Sequence, residues 1–150
     1  MNGLGELYQQ LIIDHNRHPR NFGSLEDATE TASGDNPLCG DRITVYLRLK
    51  DDVIEDIRFQ GAGCAISQAS ASLMTTAVRG KKADEALELF RAFHAMVTGP
   101  QEASPDTRRL GKLAAFAGVR AFPARVKCAN LPWHTLRTAL KGNGGSVSTE

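Results

Sequence analysis

The chain has 150 residues, a length at which roughly 68–70% of the unfolded surface is buried on folding, so a core forms without help from a metal or a disulfide. Its composition is 41% hydrophobic and 23% charged, with 18 basic and 17 acidic side chains, which excludes a disordered tail, a collagenous repeat and a strongly polyanion-binding protein. Three cysteines, an odd number, make a poor disulfide framework and fit a reducing, cytoplasmic setting.

From the N-terminus, Leu4, Leu7, Tyr8, Leu11, Ile12 and His15 recur at helical spacing and predict an amphipathic helix over Leu4–Asn16, ended by Pro19. The same stretch has no basic leader followed by an unbroken apolar run, so no targeting segment is expected. Asn21–Leu38 reads as a polar loop with a short strand near Ala28–Ala32. Ile43, Val45, Leu47 and Leu49 then alternate with Arg42, Thr44, Tyr46 and Arg48, the pattern of a strand with one buried face. Asp51-Asp52 is a turn into a second strand whose inner face is Val53, Ile57 and Phe59, ending at Gly61-Ala62-Gly63.

Helical spacing resumes at Ala65 and stops at Gly80, and a second helix is predicted over Asp84–Val97. Ser104-Pro105-Asp106 reads as an N-cap with a first-turn proline, opening a helix to about Phe116. Gly118–Pro123 breaks it, and Asn130 is expected to cap a last helix over Leu131–Leu140. The longest apolar run, Leu113–Val119, is far too short to cross a bilayer. The predicted fold is α+β: one domain over residues 1–142, with a small sheet and several helices, and a frayed tail over 143–150. The first 75 residues carry 6 basic and 11 acidic side chains and the last 75 carry 12 and 6. No aromatic interleaving accompanies the basic half, so solvated helix faces are expected and no nucleic acid.

Cys39, Cys64 and Cys128 are 24 and 63 residues apart with no C-x-x-C pair, a weak metal signal by spacing alone. Their contexts say more. Gly40 frees the backbone to set a thiolate at Cys39 and a carboxylate at Asp41 on one side. Cys64 precedes a helix, where the dipole and free N–H groups favour thiolate. Cys128 is expected just before the Asn130 cap, beside Arg125 and Lys127. If the three sulfurs converge with Asp41, the S3O donor set suits tetrahedral zinc or iron in a cluster. It also carries two negative charges in excess, which Arg125 and Lys127 are placed to offset. Among possible fourth ligands, His15 and His94 read as satisfied structural histidines, and His134 points along or away from the sulfur, so Asp41 is preferred.

Four segments, LYQQLIIDHNRHPRNFG (Leu7–Gly23), SGDNPLCGD (Ser33–Asp41), GAGCAISQASASLMT (Gly61–Thr75) and RVKCANLPWHTL (Arg125–Leu136), closely resemble the U-type proteins of iron–sulfur cluster assembly. The scaffold branch, IscU, has a histidine directly before the third cysteine, where this chain has Lys127. The chain also carries extra residues, about Thr98–Gly118, and both departures look like the SUF-type branch. The resemblance implies a three-stranded antiparallel sheet packed against about five or six helices, and zinc held by Cys39, Asp41, Cys64 and Cys128. It further implies that Cys39 accepts persulfide sulfur from a SufS-type cysteine desulfurase for downstream SUF scaffold proteins. The alternative it leaves open is a scaffold building an iron–sulfur cluster on the same ligands.

Overall fold

The structure is a computed structural model that describes residues 3–37, 39–142 and 146–148. The first predicted helix is α1 (Gly3–Arg17). After a loop, β1 (Glu30–Asn36), β2 (Asp41–Lys50) and β3 (Val53–Ala62) form an antiparallel sheet. The helices α2 (Ala65–Val78), α3 (Ala83–Thr98), a one-turn α4 (Thr107–Leu110), a 3₁₀ segment (Gly111–Ala121) and α5 (Pro123–Leu140) follow. Among the described residues no helix is long and apolar enough to cross a membrane.

The β2–β3 hairpin closes on Asp51 and Asp52, both with positive φ (52° and 66°), the two-residue geometry that matches strand twist and that Asp tolerates. Between Arg48↔Asp56 and Leu49↔Ile54 the register slips. Glu55 is the extra residue, and the bulge reverses the faces beyond it. Ile54 therefore enters the core, whereas Val53, expected inside, is only half-buried. The first strand also differs from expectation. It starts later than Ala28 and runs to Asn36, because the tight turn before Asp41 lays this polar segment along the β2 edge from Glu30↔Leu47 to Asn36↔Asp41. Ser146–Ser148 lies within the expected frayed tail but forms β4, pairing parallel with Ser33–Asp35 and covering the open edge of β1. The sheet order is β3-β2-β1-β4. The other tail residues, 143–145 and 149–150, lie outside the described residues.

Two helices depart from local sequence rules. Asp106, not Ser104, caps α4, accepting from Arg109 N at 3.3 Å. Gly111 (φ +55°) then ends the α turn, and the alanine-rich residues continue as a tight 3₁₀ run packed under α3. The last helix begins at Pro123, whose fixed φ suits a first helical position. Asn130 is thus not a cap but a buried mid-helix residue, and Pro132 is tolerated inside the helix. Packing overrides the local signals here: α5 lies against β1, β2 and α2, and Ser70 Oγ donates to the Ala129 carbonyl at 2.6 Å. Trp133 from α5 stacks on Phe93 at 5.0 Å, and Phe93 meets Phe116 edge-on at 5.7 Å. This apolar centre lies between α3, the 3₁₀ segment and α5.

Candidate metal centre

Two connections and one helix, α5, converge at one end of the sheet. The β1–β2 turn is held by the Asn36 carbonyl, which accepts from Cys39 N (3.2 Å) and Gly40 N (2.9 Å). Gly40 has φ +72°, and a side chain there would meet only open space, so glycine serves the backbone conformation. Cys39 is half-buried on this turn, and Asp41, the first residue of β2, is buried. The β3–α2 connection delivers Cys64 at the N-cap of α2, where its own N–H donates to Asp41 Oδ1 at 2.7 Å. Gly63 makes that approach possible, since a Cβ there would stand 2.5 Å from Asp41 Oδ1 and 2.8 Å from Ser67 Oγ. Cys128 comes from the second turn of α5 and is fully buried.

The sulfurs of Cys39 and Cys128 are 3.5 Å apart, and these two atoms and an Asp41 carboxylate oxygen all lie within 4.8 Å of one another. Cys64 Sγ stands at the rim of this group, 3.8 Å from Asp41 Oδ2. A tetrahedral ion with Zn–S near ~2.3 Å and Zn–O near ~2.1 Å has ligand-to-ligand edges of roughly 3.6–3.8 Å. The two measured separations, 3.5 and 3.8 Å, lie close to that size, and thiolates with a carboxylate are donors zinc takes, although Cys64 is outside the group whose ligand atoms all lie within 4.8 Å of one another. Cys39, Asp41 and Cys128 are therefore consistent with a zinc site, with Cys64 beside them.

Burial, followed by hydrogen bonding with Asp41, Cys64 and Cys39, pushes the Cys128 thiol well above its ordinary value. A nearby cation acts in the opposite direction and favours the thiolate. Arg125 lies beside it: hydrogen bonding to Cys128, then the charges of Cys64 and Cys128, raise the guanidinium above the ordinary arginine value. Lys127 is half-buried, and no side-chain hydrogen bond or ion pair links it to the sulfurs among the described residues, so the structure brings Arg125 to the sulfurs but gives Lys127 no such contact. Cys128 departs from its predicted place, since it lies within a helix and not at a junction, for the packing reasons given above.

The histidines lie elsewhere. His15 is buried and bonds Ser72 Oγ through Nδ1 at 2.7 Å, a satisfied structural histidine. His94 is not fully satisfied, because its buried Nδ1 has no partner among the described residues. It faces His134 at 5.7 Å between ring centroids, and burial holds the His134 imidazole down at about 4. Sequence reasoning missed Asn36, whose Nδ2 donates to Cys128 Sγ at 3.7 Å, and the steric role of Gly63. The signal for Asn36 was an amide in inner-face alternation with Ala32 and Gly34.

Comparison with known proteins gives a consistent set of relatives. The profile of the NifU-like N-terminal domain matches residues 7–129. The zinc-dependent sulfurtransferase SufU of Bacillus subtilis is 44% identical over 144 residues, covering 95% of this chain and 96% of that protein. The iron–sulfur cluster assembly scaffold protein IscU of Streptococcus pyogenes is 43% identical over 141 residues, covering 94% of this chain and 87% of that protein. A crystal structure of a candidate iron–sulfur cluster assembly scaffold protein for the SUF system of Fervidobacterium islandicum superposes with a TM-score of 0.82 at 38% identity, covering 92% of this chain and 99% of that one.

Proposed function

The chain belongs to the NifU-like N-terminal domain family, the iron–sulfur cluster assembly proteins of the SufU/IscU type, and we propose that it is a zinc-dependent sulfurtransferase of the cytoplasm. In this reading Cys39 accepts persulfide sulfur from a SufS-type cysteine desulfurase and passes it to downstream SUF scaffold proteins. The observation that carries the reading is the placement of the thiols: Cys39 and Cys64 are both half-buried, Cys39 on a glycine turn and Cys64 at the N-cap of α2, while Cys128, its sulfur 3.5 Å from that of Cys39, is fully buried in a helix. Cys128 is thus an anchor, Cys64 is tied through its N–H to Asp41, and Cys39 on the turn is the sulfur offered to a partner.

Cys39, Asp41, Cys64 and Cys128 would hold the zinc. When bound, zinc keeps these sulfurs as thiolates at neutral pH. The Cys39 thiolate attacks the terminal sulfur of the donor's persulfide. The donor's S–S bond breaks, the donor cysteine departs as a thiolate, and a new S–S bond leaves the persulfide on Cys39. No net oxidation occurs. Arg125, beside Cys64 and Cys128, offsets the negative charge that gathers as a second thiolate approaches. The turn's backbone is held at Asn36 with open space beside Gly40, so in this reading the Cys39 side chain presents its sulfur from a fixed backbone.

A second reading, a scaffold on which a two-iron or four-iron cluster is built on the same donors, draws support from the 43% identity to a scaffold protein. Lys127, where the scaffold branch keeps a histidine, favours transfer. Elemental analysis with a visible spectrum of the purified protein separates the two. Colourless protein with about one zinc per chain is expected, and brown protein bearing iron and sulfide would favour the scaffold instead.

A further inference from the structure

Ala32, Gly34 and Asn36 alternate on the inner face of β1, and all three are buried. Asn36 therefore sets an amide where the sheet otherwise places small apolar groups. It is 0% exposed, its Nδ2 donates to Cys128 Sγ at 3.7 Å, and its Oδ1 has no partner among the described residues. Its main-chain carbonyl meanwhile accepts from the N–H groups of Cys39 and Gly40. A buried amide with half of its hydrogen bonding unmet is destabilising unless another role retains it.

We propose that Asn36 is a positioning residue of the metal centre, its side-chain N–H donating to the metal-bound Cys128 thiolate while its carbonyl closes the turn that presents Cys39. The inference rests on the zinc-site reading above. A thiolate sulfur accepts hydrogen bonds, and an N–H aimed at it fixes the direction of the sulfur and draws off part of its charge. Arg125 also acts on this sulfur, but it is exposed, so water competes with it. Asn36 is the buried donor, where the low local dielectric strengthens the bond. One residue thereby joins the fixed sulfur on α5 to the movable sulfur on the turn.

The test compares the full-length protein with Asn36→Leu, which keeps the shape and removes every polar group, and Asn36→Asp, which keeps an acceptor and removes the N–H. Zinc affinity is measured by competition with a chromogenic chelator, cobalt(II)-loaded protein by its absorption spectrum, and metal-free protein by its thermal melt. Asn36→Leu is expected to bind zinc about 10–100-fold more weakly, with its thiolate-to-cobalt charge-transfer band moved to longer wavelength, while its metal-free form melts no lower than wild type. Asn36→Asp sets a carboxylate against the thiolate and should bind more weakly still, which serves as the readout if the leucine variant fails to fold. Unchanged affinity and an unmoved band in the folded variants would overturn the inference while leaving the zinc site standing. A wild-type protein that bound neither zinc nor cobalt would overturn both.

Discussion

Cys39 and Cys128 bring their sulfurs to 3.5 Å, yet the regions that carry them are built on opposite principles. The β1–β2 turn is short, rests on two main-chain bonds to Asn36, and has open space beside Gly40. The α5 segment is packed against the sheet and α2, and Cys128, Ala129, Asn130, Leu131, Pro132 and Trp133 are buried in succession. Each of the two thiols has the surroundings that the other's role would forbid. A sulfur that must meet a partner cannot be sealed in a core, and a sulfur that must hold its place does not belong on a turn. The comparison teaches that ligands of one chemical type are divided here between carrying and anchoring by backbone context.

Substitution at the two cysteines should separate these roles most sharply. Cys39→Ala is expected to abolish persulfide on the protein and its stimulation of the desulfurase while leaving the fold intact, as read by the desulfurase rate with and without the protein and by circular dichroism. Full stimulation by this variant would end the division of roles. Cys128→Ala should instead lower zinc affinity by more than about a hundredfold, since it removes a direct ligand where an outer partner alone contributes about 10–100-fold. Chelator competition measures it.

A smaller effect tests the wall between the two regions. Gly63→Ala sets a Cβ 2.5 Å from Asp41 Oδ1 and should break the Cys64 N–H bond to that oxygen, costing about 1–3 kcal/mol in denaturant unfolding. On the anchoring side, His134 has a folded-state value near 4, below the unfolded value of about 6.5. The unfolded chain therefore takes up the proton first. The stability associated with the neutral ring is complete above about pH 6.5 and falls as the pH drops toward 4, by on the order of 1–2 kcal/mol. His134→Phe should lose this component in urea unfolding compared across pH. The smallest change is expected on metal removal: the core formed around Trp133, Phe93 and Phe116 should keep far-ultraviolet circular dichroism near that of the zinc form, and complete unfolding by a chelator would contradict it.

What was legible in the sequence divides along the same boundary. Regular alternation in β2 and the Asp51-Asp52 turn are local signals, and the hairpin follows them. Cys39 and Asp41 were legible as a pair because two residues across a glycine specify their side of the chain. The bulge at Glu55, the extension of β1 to Asn36 and the pairing of Ser146–Ser148 depend on strand neighbours far away in sequence, which local preference does not encode. The α5 helix is the sharpest case. Asn130 and Pro132 carry the marks of a helix start, but burial against the sheet and α2, with Ser70 bonded to the Ala129 carbonyl, outweighs them. Cys128 was thus identified as a site residue from a context that the fold then replaced. Asn36 was passed over because an Asn-Pro pair in a loop reads as turn chemistry, and only the completed sheet shows its amide facing a sulfur.

The central proposal is that Cys39, the half-buried thiol on the glycine turn, carries the sulfur. Its most direct test is to incubate zinc-loaded protein with a SufS-type desulfurase and cysteine, and to locate the added sulfur by mass spectrometry of alkylated peptides. Persulfide is expected on the peptide containing Cys39 and on neither of those containing Cys64 or Cys128. Persulfide on Cys128, or equal labelling of all three, would contradict it.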